Sequence, residues 1–318
     1  MPIALIIGVA CGLASGLLFY AATRGAAALG LALFLLTPLP SAIAGLCWGW
    51  PAAVAAGLAG AGAMASVALP QFGVGYFLAI GVPAAGLAYL SNLGRSRADG
   101  SVDWYPAGWI LAALVIYAGL FPILIAPLFG GSYAVLQVPY QEVVRLFSSR
   151  MGQPMTDDQA QAWSALLVEV TPASIAAYFL VIWVVNAYLA GRIARGSGRL
   201  LRPWPDLHRL EYPSGTALLF GAAIVGTMLQ GVPRVIGTAM SGAMLVGFAL
   251  IGLAILHCIS KGRIPWMLWL SYALLLTPVA PYVVIGLALV GLADGFLNIR
   301  DRVAGPPGTG AGPPPPAV

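Results

Sequence analysis

Between Ile3 and Asn298 the chain is a succession of apolar stretches, most of them close to the 20 or so residues an α-helix needs to cross roughly 30 Å of hydrocarbon. Clear runs occupy 3–22, 26–49, 52–70, 72–92, 107–129, 172–191, 214–232 and 237–258. A last stretch, 264–298, would be about 52 Å long as one helix, too long for a single crossing. Thr277-Pro278-Val279-Ala280-Pro281 lies midway along it, so it reads as a hairpin of two short spans. Pro38 and Pro40 interrupt 26–49, which leaves that stretch either a full span or a re-entrant one. Composition closes off the soluble alternative: 60% of the 318 residues are hydrophobic and 8% are charged, where a soluble chain carries about 25% charge to cover its surface. The fold class that follows is all-α, a polytopic transmembrane protein of about eight to ten spans. Residues 1–303 form the membrane domain and 304–318, built from Gly, Pro, Ala, Thr and Val, a disordered tail.

The basic residues orient the chain. With the N-terminus in the cytoplasm and the last stretch crossing twice, the inside loops hold Arg95, Arg97, Arg192, Arg195, Arg199, Arg202, Arg209, Lys261, Arg263, Arg300 and Arg302, and the outside holds Arg24, Arg145, Arg150 and Arg234. A single final crossing would move Arg300 and Arg302 out and weaken the asymmetry. Both termini are therefore expected in the cytoplasm, with the chain in a bacterial inner membrane. Met1-Pro2-Ile3 lacks the basic start of a secretory signal, so the first stretch reads as a retained span. The net charge of +5 serves topology, with the lipid bilayer as partner and no nucleic acid expected. Cys11, Cys47 and Cys258 lie inside apolar runs without metal-ligand spacing and read as packing residues.

Two connections stand out. Residues 130–171 fall outside as a helical flap. Pro139 opens a short helix with Val143, Val144, Leu146 and Phe147 on one broad face and Glu142, Arg145 and Ser148 elsewhere, the pattern of a helix lying on the membrane surface. Thr156-Asp157-Asp158-Gln159 is a capping box announcing a second helix that ends at Thr171-Pro172, where the next begins. The flap reads either as a lid over an outer cavity or as packing between two spans. The cytoplasmic loop 192–213 carries five arginines, Asp206, His208 and Glu211, with Trp204 and Tyr212 as interfacial anchors.

Chemistry-bearing residues at membrane depth are few. Asp294 sits in the last span six residues before Arg300 and is placed to pair with it at about 9 Å along the helix. Asn186, in the apolar run Val181–Leu189, reads as an interhelical hydrogen bond or a solute contact, and His257 as an interfacial histidine or a ligand contact. Asn298 closes the last span and is a fourth candidate contact. Gly305-Pro306-Pro307-Gly308-Thr309-Gly310 imitates a phosphate loop, but Ala311 and Gly312 stand where the lysine and the hydroxyl would be. Without a Ser/His/Asp set, paired carboxylates or a zinc motif, no enzyme activity, cofactor or metal is expected. Small residues stripe the first span: Gly8, Gly12 and Gly16, with Ala10 and Ala14 beside them, a face that either packs internally or docks another membrane subunit.

Toward the C-terminus, Gly252-Leu253-Ala254-Ile255-Leu256-His257 followed by Lys261-Gly262-Arg263, and the closing run Gly291-Leu292-Ala293-Asp294-Gly295-Phe296-Leu297-Asn298-Ile299-Arg300, resemble the YybS-like family of multi-pass bacterial membrane proteins. The similarity spans roughly 245–302. That family is similar, more distantly, to the substrate-binding S components of energy-coupling-factor transporters, which dock through an AxxxA pattern on their first helix; Ala10 and Ala14 occupy such a position. S components have about six spans, fewer than expected here. The resemblance implies a small-solute-binding subunit that holds its solute under the 130–171 flap and takes energy from a partner. The alternative is a scaffold recruiting cytoplasmic proteins through Arg195, Arg199 and Arg202.

Overall fold

The computed structural model describes residues 2–25, 27–207, 210–260 and 265–297. In chain order the helices are α1 (Pro2–Arg24), α2 (Ala27–Leu36), α3 (Leu39–Trp48), α4 (Trp50–Val67), α5 (Pro70–Tyr76) and α6 (Val82–Ser91). A small antiparallel hairpin follows, β1 (Gly94–Ser96) and β2 (Val102–Trp104). The chain then forms α7 (Ala107–Ile125), α8 (Gln137–Arg150), α9 (Asp157–Gly196), α10 (Thr216–Thr227), α11 (Val232–Ser260), α12 (Pro265–Leu275) and α13 (Ala280–Leu297). Among the described residues eight helical stretches are long and apolar enough to cross a membrane. The architecture is an all-α polytopic bundle, at the lower end of the expected span count.

Glycines decide which helices meet. A Cβ on Gly12 would collide with the backbone of Ala56, and one on Gly8 with the carbonyl of Ala52, so α1 lies directly against α4. Across α11 and α13 the arrangement is reciprocal: Gly252 faces the backbone of Leu287, and Gly291 faces that of Phe248. The two C-terminal stretches that carry the family resemblance thus touch each other. Such close backbone approach is how helices associate where lipid is as apolar as any side chain. α11 is the hub, packed against α7, α9, α10 and α13.

Prolines and one π-turn free backbone carbonyls inside the bundle, and polar side chains of neighbouring helices satisfy them. The segment Phe77–Gly81 between α5 and α6 is a π-helix, and Pro83 just after it has no N–H. Tyr117 on α7 donates to the Leu78 carbonyl at 2.6 Å, and the Trp183 indole on α9 donates to that of Ala79 at 2.9 Å. At the Thr37-Pro38 break between α2 and α3, Asn186 donates to the Leu35 carbonyl at 2.7 Å. In hydrocarbon an unsatisfied carbonyl costs several kcal/mol, so these donors are what allows the interruptions. The stretch 26–49 accordingly holds one broken apolar stretch, Ala28–Trp48, long and apolar enough to span.

Four expectations are corrected. Pro172 does not end the flap helix: α9 runs 40 residues from its capping box, Thr156 with Gln159, straight through Pro172, about 60 Å in all. A proline removes one donor and kinks a helix, and the intact turns on either side carry it through. The supposed loop 192–213 begins as the last turn of α9, so that 197–215 is the true connection. The run 214–232 supplies only the 12-residue α10, about 18 Å long. It is not among the eight stretches long enough to cross, and in the non-helical segment before it the Tyr212 ring packs on Phe248 at 5.1 Å between centroids. Finally, β1–β2 was not anticipated; Gly100 at φ 81° makes its turn, and the Ser101 amide and hydroxyl, hydrogen-bonded to Asp99, hold that carboxyl below its usual range. The final stretch does form a hairpin, α12 and α13, turning at 276–279. The 304–318 tail lies outside the described residues.

Candidate functional site: a cavity at the arginine-rich end

After α9 the chain turns at Gly198 (φ 67°) and runs beneath the bundle as Arg202-Pro203-Trp204-Pro205. Two prolines keep this stretch extended, and aromatic contacts pin it. Trp204 lies against Gly191, where a Cβ would meet its ring at 2.9 Å. It stands edge-on to Tyr188 at 5.7 Å, with the Arg195 guanidinium 5.8 Å from its ring centroid. Arg199 sits over Trp48 at 5.1 Å. Cation–π contacts of this kind are worth about 0.5–2 kcal/mol each, so the loop has a fixed seat.

That seat forms the floor of a cavity of about 490 Å³ between α7, α9 and α11. Ile110, Leu111, Leu114, Val184, Leu250 and Leu253 make its walls. The polar groups on its lining are Ser91, Tyr188, Arg202, Trp204, His257 and Tyr272. Arg202 donates through Nη1 to the Tyr105 carbonyl at 3.2 Å, while its Nε is enclosed and meets no acceptor among the described residues. Burial pulls the guanidinium below its ordinary pKa, the mark of a cation short of water. His257 contacts the Leu253 carbonyl through Nδ1 at 2.8 Å and the Tyr272 hydroxyl through Nε2 at 3.2 Å, linking α11 to α12. A second cleft of about 420 Å³ shares Ala107, Arg202, Pro205 and Leu210 with it and is lined also by Trp109, Asp206, Glu211 and Tyr212.

The residues singled out in the sequence do not converge. His257 lines the cavity. Asn186, 1% exposed on α9, faces α2 instead; its Nδ2 meets the carbonyls of Leu35 and Ile182, and its Oδ1 has no partner among the described residues. Asp294 is buried on α13 at 7% exposure; its expected partner Arg300 and the candidate Asn298 lie outside the described residues. On α1, Gly8, Gly12 and Gly16 are buried against α4, whereas Ala10 and Ala14 stay on the exposed face. Among the described residues no three His, Cys, Asp or Glu side chains gather as a metal site requires. Arg202 and Tyr272 were missed as a pair of cavity residues. The sequence signal for the former was a charge held between apolar residues and prolines, Leu201-Arg202-Pro203-Trp204-Pro205.

The flap lies elsewhere. From Thr171, where the flap meets the bundle, to Gly191 on the cavity wall is about 30 Å along α9. The flap is held by its own contacts, Arg145 to Asp157 at 2.7 Å, Arg234 to Glu169 at 3.2 Å and Tyr140 to Thr171 at 2.9 Å. Neither of the two cavities described above is lined by a flap residue. The solute expected under the flap therefore has no counterpart there in these two cavities, and the larger one opens at the opposite end of the bundle.

Among the described residues, eight helical stretches long and apolar enough to cross a membrane define the class: a multi-pass helical membrane protein. Within that class the chain belongs to the predicted membrane protein family DUF2232, whose model matches residues 4–295. No curated protein and no solved structure matches it.

Proposed function

We propose that the protein binds a small solute in the cavity at its arginine-rich end, as a membrane subunit similar to S components of energy-coupling-factor transporters and dependent on a partner for energy. The observation that carries this reading is the cavity itself. Its volume of about 490 Å³ falls in the range of roughly 300–1,000 Å³ typical of small-molecule sites, which are apolar with a few placed polar groups. The imitation phosphate loop at Gly305–Gly310 lacks the lysine a motor would need, in keeping with an external source of energy. On α1 the exposed Ala10 and Ala14 offer the face for such a partner.

The scaffold reading has weaker support. It needs Arg195, Arg199 and Arg202 free to reach a partner; Arg195 and Arg199 are exposed but lie over Trp204 and Trp48, and Arg202 is half-buried on the Tyr105 carbonyl.

A thermal-shift screen of metabolites on the purified protein tests the proposal. A ligand that binds the folded state raises the unfolding midpoint with concentration, as mass action requires. Leu114→Trp, which fills the cavity, should erase that shift. A library without any stabilising compound, or a shift that Leu114→Trp leaves intact, would count against the site.

A further inference from the structure

Resting on the solute-binding reading, we infer that the occupant of this cavity is an amphiphile with a single anionic head, a carboxylate or phosphate, seated on Arg202, and one compact apolar body packed among the leucines above it. Among the described residues no carboxylate lines this cavity, while Arg202 does. Asp206 and Glu211 line the adjoining cleft, which shares Arg202 with this one. Arg202 is half-buried, and a cation partly withdrawn from water gains from an acceptor that reaches it. Nη1 is used on the Tyr105 carbonyl and Nε is enclosed without an acceptor among the described residues. An anionic oxygen reaching the guanidinium from the cavity would add a charge-assisted hydrogen bond to a planar group that suits carboxylate and phosphate.

Position favours the same occupant. The fork is held in place before any ligand binds, by the hydrogen bond to the start of α7 and by prolines on both sides of a seated tryptophan. His257 already has the Leu253 carbonyl and Tyr272 as partners, so the head falls to Arg202. The rest of the lining is mostly Leu, Ile, Val and Ala, and among the described residues it carries no acidic side chain. A dipolar or strongly polar solute would leave its far end unpaired.

The test is equilibrium binding of radiolabelled decanoate to the full chain in phosphatidylcholine nanodiscs, with empty nanodiscs subtracting partition into lipid. Decyl phosphate should compete as well as decanoate, and decanol about tenfold or more weaker, the difference expected for a charge-assisted hydrogen bond. Arg202→Gln should lose that preference while decanol competition persists. Arg202→Lys, which keeps the charge and loses the fork, should fall between the two. Because the comparison of head groups is made on the unaltered protein, it stands even if Arg202→Gln folds poorly. Competition by indole-3-acetate from the aqueous phase would support a water-soluble source for the anion; competition confined to the decyl compounds would support a membrane-borne one. Equal binding of decanol and decanoate, or undiminished decanoate binding by Arg202→Gln, would overturn the anionic head and leave the cavity reading intact. Absence of saturable binding by every probe would overturn both.

Discussion

Trp183 on α9 donates its indole N–H at 2.9 Å to the carbonyl oxygen of Ala79, the oxygen whose helical donor would have come from residue 83, a proline. The two residues are 104 positions apart, and Trp183 is 1% exposed. One side chain thus repairs a defect in a distant span. Trp183→Phe keeps most of the packing and removes the donor, leaving the carbonyl unpaired. We expect a loss of about 1–3 kcal/mol, read as a lower unfolding midpoint in detergent. Adding Pro83→Ala, which restores a backbone N–H, should recover part of that loss, and a double-mutant cycle with no coupling between the two positions would refute the relationship.

The α1–α4 contact makes opposite predictions for two faces of one helix. Gly12→Leu forces a side chain into the backbone of Ala56 and should abolish folding or lower the midpoint by many degrees, since neither backbone can yield cheaply. Ala14→Leu, on the exposed face, should leave the midpoint of the isolated protein within about 0.5 kcal/mol of the original. If a partner subunit docks there, the same substitution should strip it away during affinity purification.

How far these features could be read in advance follows from what enforces them. Most span positions were legible because hydrocarbon thickness imposes a length on every crossing, 214–232 and the first half of 264–298 excepted, and the capping box at Thr156 because it is a local pattern four residues long. The break at Pro38 was visible; that Asn186 repairs it, by donating to Leu35 across 151 residues, was not. Pro172 misled because a proline ends a helix only where nothing else holds the flanking turns. The cavity stayed hidden for the same reason as the Trp183 contact: Arg202 earns its position through Tyr105, Gly191 and Trp204 together, and no single stretch of chain records that meeting.

Tyr133 ties the start of the flap to α7, its hydroxyl donating to the Pro122 carbonyl at 2.7 Å. Burial pushes its pKa up to about 12, above the ordinary value of about 10. A raised folded pKa means stability that is complete below pH ~10 and is lost as the pH climbs toward ~12, because only the unfolded chain ionises freely in that window. Tyr133→Phe should therefore be less stable than the parent near neutrality, through the lost hydrogen bond. Its midpoint should also fall less steeply between pH 10 and 12. Parallel slopes for the two proteins would show that the phenol is not protected.

α8 bears three kinds of surface, and they assign it a place at the boundary of the bilayer. Ser148 is buried and Val144 half-buried, while α8 packs on α9. Val143, Leu146 and Phe147 are exposed at 59%, 54% and 65%, too much apolar area on one stripe to leave in water. Glu142 and Arg145 are exposed beside them, Arg145 bridging to Asp157 at the head of α9. A helix with these faces lies flat in the interface with its apolar stripe in the acyl region. Spin labels placed singly at Phe147 and at Glu142 in nanodiscs should differ accordingly: the first more accessible to oxygen dissolved in lipid, the second to a water-soluble nickel chelate. Leu146→Asp should loosen the flap from the membrane and raise hydrogen exchange across 137–150, without altering the capping hydrogen bonds of Thr156 and Gln159. Equal aqueous access at both labelled positions would place α8 clear of the bilayer, and its apolar stripe would then need a protein to cover it.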